Sequence, residues 1–175
     1  TIPLSAQILE ARKAKDKGIQ RLRDTLLSEA EQKTYTFPVE LDDMGRSRGD
    51  VSFVGVVHID GNGIGARLTE WVSKNKDRAS FVNDYRTLSE ALDKLATDTM
   101  QHVVGHVLGA IIKVDDDNTH WATGFPDKLS FQLNECEDGV CLPLRPILMG
   151  GDDLTFVCDG RIALSLAAKA LNFIR

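Results

Sequence analysis

Apolar residues recur at Ile8, Ala11, Ala14, Ile19, Leu22 and Leu26, a three-to-four spacing that predicts a helix over residues 5–31. Ser5 is its candidate cap and Gly18 an interruption. Residues 32–50 lose the pattern, and Pro38, Gly45, Gly49 and several acids predict a linker. Residues 51–59 then form a nearly unbroken apolar, β-branched run with little alternation, the pattern of a strand buried on both faces. Gly61, Gly63 and Gly65 turn the chain towards a short helical start over residues 64–72. A longer helix is predicted over residues 84–112, with Leu88, Leu92, Leu95, Val103, Val107 and Ile111 on one face and Asn83 or Asp84 as cap. Asp115, Asp116, Asp117 and Asn118 end it in a polar loop.

Two hairpins follow. Residues 129–133 and 140–144 are expected to pair around Asp138-Gly139, with Pro143 and Pro146 confining the second strand to an edge or an irregular entry. Residues 147–149 and 154–158 are expected to pair around Gly150-Gly151-Asp152-Asp153, and an Ala- and Leu-rich helix closes the run over residues 162–174. The order strand, long helix, hairpin, helix is an α+β pattern. It matches a ferredoxin-like βαββαβ unit whose last strand is missing and would follow the final helix. The expected organisation is an N-terminal helix and linker, 1–50, and a main domain, 51–175. In an antiparallel sheet of this order Asp60 comes near Asp152 and Asp153.

Composition narrows the class. With 175 residues and 42% hydrophobic content the chain can bury an ordinary core. No stretch is long and apolar enough to span a bilayer, and the first residues lack a secretory pattern. A net charge of -5 disfavours wrapping nucleic acid over the whole surface, although the first helix is locally basic. Three cysteines do not make a disulfide framework, which points to a reducing, cytoplasmic setting.

The chemistry lies in two motifs about ninety residues apart. The first is His58-Ile59-Asp60-Gly61-Asn62-Gly63-Ile64-Gly65; the second is Met149-Gly150-Gly151-Asp152-Asp153-Leu154. Nucleotidyl transfer needs divalent ions held by hard oxygen donors, and Asp60, the Ile59 carbonyl, Asp152 and Asp153 offer such a set. Glycines at 61, 63 and 65 let backbone N–H groups approach phosphate oxygens, and a helix start adds a favourable dipole. Gly150 and Gly151 leave room for a base or ribose. Either motif alone reads as an ordinary turn; both at strand ends, in this order, point to one site.

These motifs, with residues 144–154 around the second, resemble the palm domain of the large polymerase-like subunit of type III CRISPR effector complexes. More distantly they are similar to GGDEF diguanylate cyclases. The resemblance covers residues 51–175. It implies a palm with two Mg²⁺ or Mn²⁺ ions that converts ATP into cyclic or linear oligoadenylate second messengers, as in prokaryotic antiviral defence. Asp60 and Asp153 would be metal ligands, and Asp152 a ligand or an aid to the attacking 3′-hydroxyl. The loop of Gly61, Asn62, Gly63, Ile64 and Gly65 would hold the triphosphate, Asn62 touching ribose or phosphate. A homodimer, a second palm domain, or CRISPR-type or other defence proteins are the implied partners. The single acid of the first strand, with His58 before it, and the ending Asp-Asp-Leu favour the CRISPR-type palm over a guanine cyclase.

The expected activity is therefore a metal-dependent nucleotidyltransferase acting on ATP or another NTP. A cyclase making mono- or dinucleotides and a catalytically silent nucleotide-binding or assembly module are the alternatives. His102 and His106, four apart on the long helix, together with Cys136 and Cys141, are a minor candidate for zinc. Cys158, in an apolar strand, is expected to be buried and inert.

Overall fold

The structure is a computed structural model that describes residues 6–44, 53–114, 119–125 and 128–175. It is an α+β chain of four helices and three small sheets among those residues. The sheet that matters most joins β2 (Val54–Asp60), β8 (Leu144–Gly150) and β9 (Asp153–Asp159), with β9 in the middle and both pairings antiparallel. Strand β9 is apolar at every second position, and Leu154, Phe156 and Cys158 all turn inward and are buried. Helices α3 (Phe81–Gly109) and α4 (Ala163–Ile174) cover that face. Met100, Val103, Val104 and Val107 from α3 meet Ile162, Leu166 and Ala170 at α4, with Val57 and Leu144 from the flanking strands.

The opposite face of the sheet is open. Val54, Val56 and His58 are exposed there, Val56 at 67%, so the reading of residues 51–59 as a strand buried on both faces is overturned for the described part, from residue 53 on. The valines misled because β-branched residues favour a pleated strand whether or not its outer face is covered. Strand β8 lies at the sheet edge, and its register with β9 shifts between Pro146 and Leu148. Pro146 has no N–H to give the ladder; the irregularity falls on this strand and not on residues 140–144, where it was expected.

Helix α2 (Ile64–Asn75) buries no residue fully and leans on the first half of α3. Its Trp71 ring stacks on Phe81 at 5.7 Å between centroids. Helix α3 starts at Phe81, two residues before Asn83 and three before Asp84, the expected caps; Asp84 lies in its first turn and accepts the Ser80 hydroxyl at 2.8 Å. It ends at Gly109, short of residue 112, and the apolar run that follows is a strand, β3 (Ile111–Val114). This strand pairs with β4 (Thr119–Phe125), which pairs in turn with β5 (Leu129–Gln132). The expected partnership of residues 129–133 with 140–144 is thereby replaced. The turn expected at Asp138-Gly139 instead links two short strands, β6 (Glu135–Cys136) and β7 (Gly139–Cys141).

Strand β7 also pairs in parallel with β1 (Tyr35–Thr36). Residues 32–50 were expected to be a linker, yet Thr36, Phe37, Pro38 and Met44 are buried, and Arg145 Nη1 donates to the Val39 carbonyl at 2.6 Å. Helix α1 (Ala6–Leu26) sends Leu26 into the same hydrophobic cluster as Phe156, together with Leu27 just past its end. Ser5, the expected cap, and the loop at 115–118 lie outside the described residues. No helix among the described residues is long and apolar enough to cross a membrane.

Cys158 is fully buried on β9, and burial first, then the neighbouring Asp159 charge, pushes its thiol up to about 12. Native protein at pH 8 should therefore resist iodoacetamide at Cys158 for hours while urea-unfolded protein is labelled within minutes. Rapid native labelling, read by peptide mass, would mean that the centre of β9 opens.

Candidate active site

The two motifs meet at one end of the open sheet face. Asp60 is the last residue of β2 and Asp153 the first of β9, and they are direct register partners; Gly150 is the partner of Asp153 on β8. The Gly61 N–H donates to the Asp152 carbonyl at 3.0 Å, just beyond that pair. A bond placed there brackets Asp60–Asp153 as a non-hydrogen-bonded antiparallel pair, in which Cα atoms stand about 4.5 Å apart and side chains are closest. Two carboxylates thus project side by side from adjacent strand ends, Asp60 exposed and Asp153 half-buried. One step along the same face, His58 Nδ1 and the Thr155 hydroxyl are hydrogen-bonded at 2.8 Å across the same two strands.

Asp152 occupies the hairpin turn. It joins the site through its backbone, and its side chain does not complete a tight trio. Among the described residues the one such trio with ligand atoms within 4.8 Å of one another is Asp43, Cys136 and Cys141, where the two cysteines are joined in a disulfide; Asp60, Asp152 and Asp153 do not gather so closely. Like charges directly opposite repel, so carboxylates at neighbouring strand ends spread unless a cation offsets them. The donor set still fits a hard divalent ion: carboxylate oxygens from two strands, a third carboxylate on the turn, and the Ile59 carbonyl beside them. The Ile59 side chain packs against the core, so only its backbone can serve.

The loop after Asp60 is tight. A Cβ on Gly61 would stand 2.8 Å from the Asp152 Cβ and 2.5 Å from Ile64 Cδ1, so a side chain here would push the two motifs apart. The Asn62 N–H donates to the Asp60 carbonyl and the Ile64 N–H to the Gly61 carbonyl, both at 3.0 Å. Gly63 precedes the first residue of α2, Ile64, so Gly61 to Gly65 carry the chain from the carboxylate straight into a helix start. The first N–H groups of a helix have no intrahelical acceptor and suit an anion. Asn62, Gly63 and Gly65 are exposed at this loop. Between α2 and α3 lies an apolar cavity of about 260 Å³ lined by Ile64, Arg67, Leu68, Trp71, Leu88 and Leu92.

One contributor was not foreseen. Asp93, on α3, accepts the Gly151 N–H at 2.8 Å and so reaches the turn from 58 residues away. In the sequence it is one more acid between apolar helix positions and carries no signal.

The zinc candidate does not assemble. Cys136 and Cys141 form a disulfide across the β6–β7 hairpin, although three cysteines were read as making no disulfide framework. His102 stacks on Phe173 at 4.8 Å, and His106 meets Phe125 edge-on at 5.9 Å. Burial, Lys169 and His102 lower the His106 pKa, consistent with a neutral ring packed beside the core. No family model matches this chain, and no curated protein sequence matches it either.

Proposed function

We propose that this chain is a metal-dependent nucleotidyltransferase palm that joins ATP, or another NTP, into cyclic or linear oligonucleotides. The observation that carries the reading is the direct cross-strand pairing of Asp60 with Asp153 on an open sheet face, beside a glycine loop that runs into a helix start. The strand order β2-β9-β8, with α3 between β2 and β8 in the chain and α4 after β9, supports a ferredoxin-like palm.

In this reading Asp60 and Asp153 hold the ions, with the Ile59 carbonyl and Asp152 completing their shells. Two Mg²⁺ or Mn²⁺ ions would supply the charge that activates the acceptor 3′-hydroxyl and stabilises the departing pyrophosphate. The loop of residues 61–65 receives the triphosphate, and the cavity beside Trp71 has the apolar lining a nucleobase needs. Gly150 and Gly151 keep the turn clear for the ribose. The 3′-oxygen bonds to the α-phosphorus, the bond to pyrophosphate breaks, and the hydroxyl proton leaves to solvent. A homodimer or a second palm would complete the site, and the product would serve as a defence second messenger.

A second reading, a silent nucleotide-binding module, draws on the spacing of the three aspartates, whose carboxylate oxygens do not gather within 4.8 Å. Incubation with each labelled NTP and Mg²⁺ or Mn²⁺, with products resolved by mass, decides between them. Oligonucleotide products support the polymerase; cyclic mono- or dinucleotides make it a cyclase. Nucleotide binding with no turnover, alone or with a second palm, overturns catalysis.

A further inference from the structure

We infer that Asp93 is a positioning residue that sets the carboxylate turn between β8 and β9 from helix α3. The inference rests on the two-metal reading above. Its ground is the bond from the Gly151 N–H to Asp93 Oδ1, 2.8 Å long, between elements far apart in sequence. A carboxylate accepting a backbone N–H makes a bond roughly twice as strong as a neutral one. Gly150 faces the same oxygen: a Cβ there would lie 4.0 Å from it. Gly151 itself adopts φ +60°, and nothing lies within 4 Å of where its Cβ would be, so packing does not hold the turn on that side.

The neighbours of Asp93 leave its carboxylate for this task. Lys94 is paired with Asp98, and the Thr97 hydroxyl donates to the Asp93 carbonyl at 3.1 Å, not to its side chain. The helix that carries Asp93 is anchored from about two turns further on, where Met100, Val103, Val104 and Val107 are completely buried. Asp93 therefore ties the turn to a well-fixed element. From the other side Gly61 donates to the Asp152 carbonyl at 3.0 Å. The turn is thus gripped on either side of Asp152, the Gly150–Gly151 peptide by the bond to α3 and the Asp152–Asp153 peptide by the bond from Gly61. A carboxylate ligand whose backbone is fixed in this way binds its ion without first ordering the turn, and loss of such outer support typically costs 10–100-fold in affinity or activity.

The test compares the full chain with Asp93→Ala and Asp93→Asn, reading Gly151 amide exchange by NMR, Mn²⁺ affinity by calorimetry, and kcat and KM for ATP turnover. Asp93→Ala should speed Gly151 exchange about tenfold, weaken Mn²⁺ binding roughly 10–100-fold and lower kcat while KM moves less than about threefold. Asp93→Asn keeps an acceptor oxygen and should restore all three to within about threefold. Unchanged exchange and Mn²⁺ affinity in Asp93→Ala would overturn the inference. So would an Asn variant as impaired as the Ala variant, because charge at Asp93 would then act in place of the bond. If the wild-type chain binds no Mn²⁺ in a way that Asp60→Asn abolishes, the two-metal reading fails and the positioning role falls with it. Gly151 exchange would still report whether the bond holds the turn.

Discussion

On the proposed two-metal reading, Asp60→Asn and Asp153→Asn should each lower metal-dependent nucleotide turnover by on the order of 10²-fold or more, and neither should lower the stability of the metal-free protein. The two effects share one cause. Asp60 and Asp153 are opposed partners on adjacent strands, so their charges repel across the narrowest kind of antiparallel pair. Neutralising either one relieves about 0.2–1 kcal/mol of that repulsion while keeping the side chain's shape. In the proposed reading the same change also removes a ligand of the divalent ion. Melting in EDTA should therefore show an unchanged or slightly higher Tm for each variant, while product formation with ATP and Mn²⁺ disappears. Asp152→Asn separates the third acid: its carbonyl, not its carboxylate, makes the bond to Gly61, so this variant keeps the turn and tests the side chain alone. Full activity in both the Asp60 and Asp153 variants would remove the carboxylate pair from the chemistry.

How this site was legible in the sequence follows from local geometry. Asp60 closes an apolar run and Gly61 follows it; Asp152-Asp153 sits between two apolar runs at a glycine pair. Turn residues between strand-like segments fix register within a hairpin, and the strand–helix–hairpin order then brings the two ends together. Local pattern could not supply long-range pairing choices. Residues 129–132 turn back to β4 because that strand supplies a partner, and β3 was hidden because its apolar residues continue the helix pattern without a break. The open face of β2 was invisible for a similar reason: Val54 and Val56 are apolar yet exposed, so composition alone suggested burial. Asp93 was hidden most fully. An acid in an amphipathic helix reads as a solvated position, and only the fold brings Gly151 to it.

Phe156→Ala gives the largest stability effect, a loss of about 3–5 kcal/mol in urea unfolding. Phe156 is completely buried on the central strand, opposite Val57 on β2 and Pro146 on β8. Truncation leaves a ring-sized void where both flanking strands and the helix layer meet, and close-packed interiors refill such space only in part. A domain of this size typically holds about 5–15 kcal/mol, so the variant gives up a large share of the total. The contrast lies one residue further along the same strand. Val157 points to the open face, opposite the 67%-exposed Val56, so Val157→Thr should change stability by no more than about 0.5 kcal/mol. Activity separates the two layers. The Phe156 variant should lose turnover on warming in step with its unfolded fraction yet keep Mn²⁺ affinity when cold and folded, because Asp153 hangs from the strand end and not from the cavity. A Phe156→Ala protein as stable as the parent would mean that β9 does not lie at the centre of the core, and the pairing that sets Asp60 beside Asp153 would fall with it.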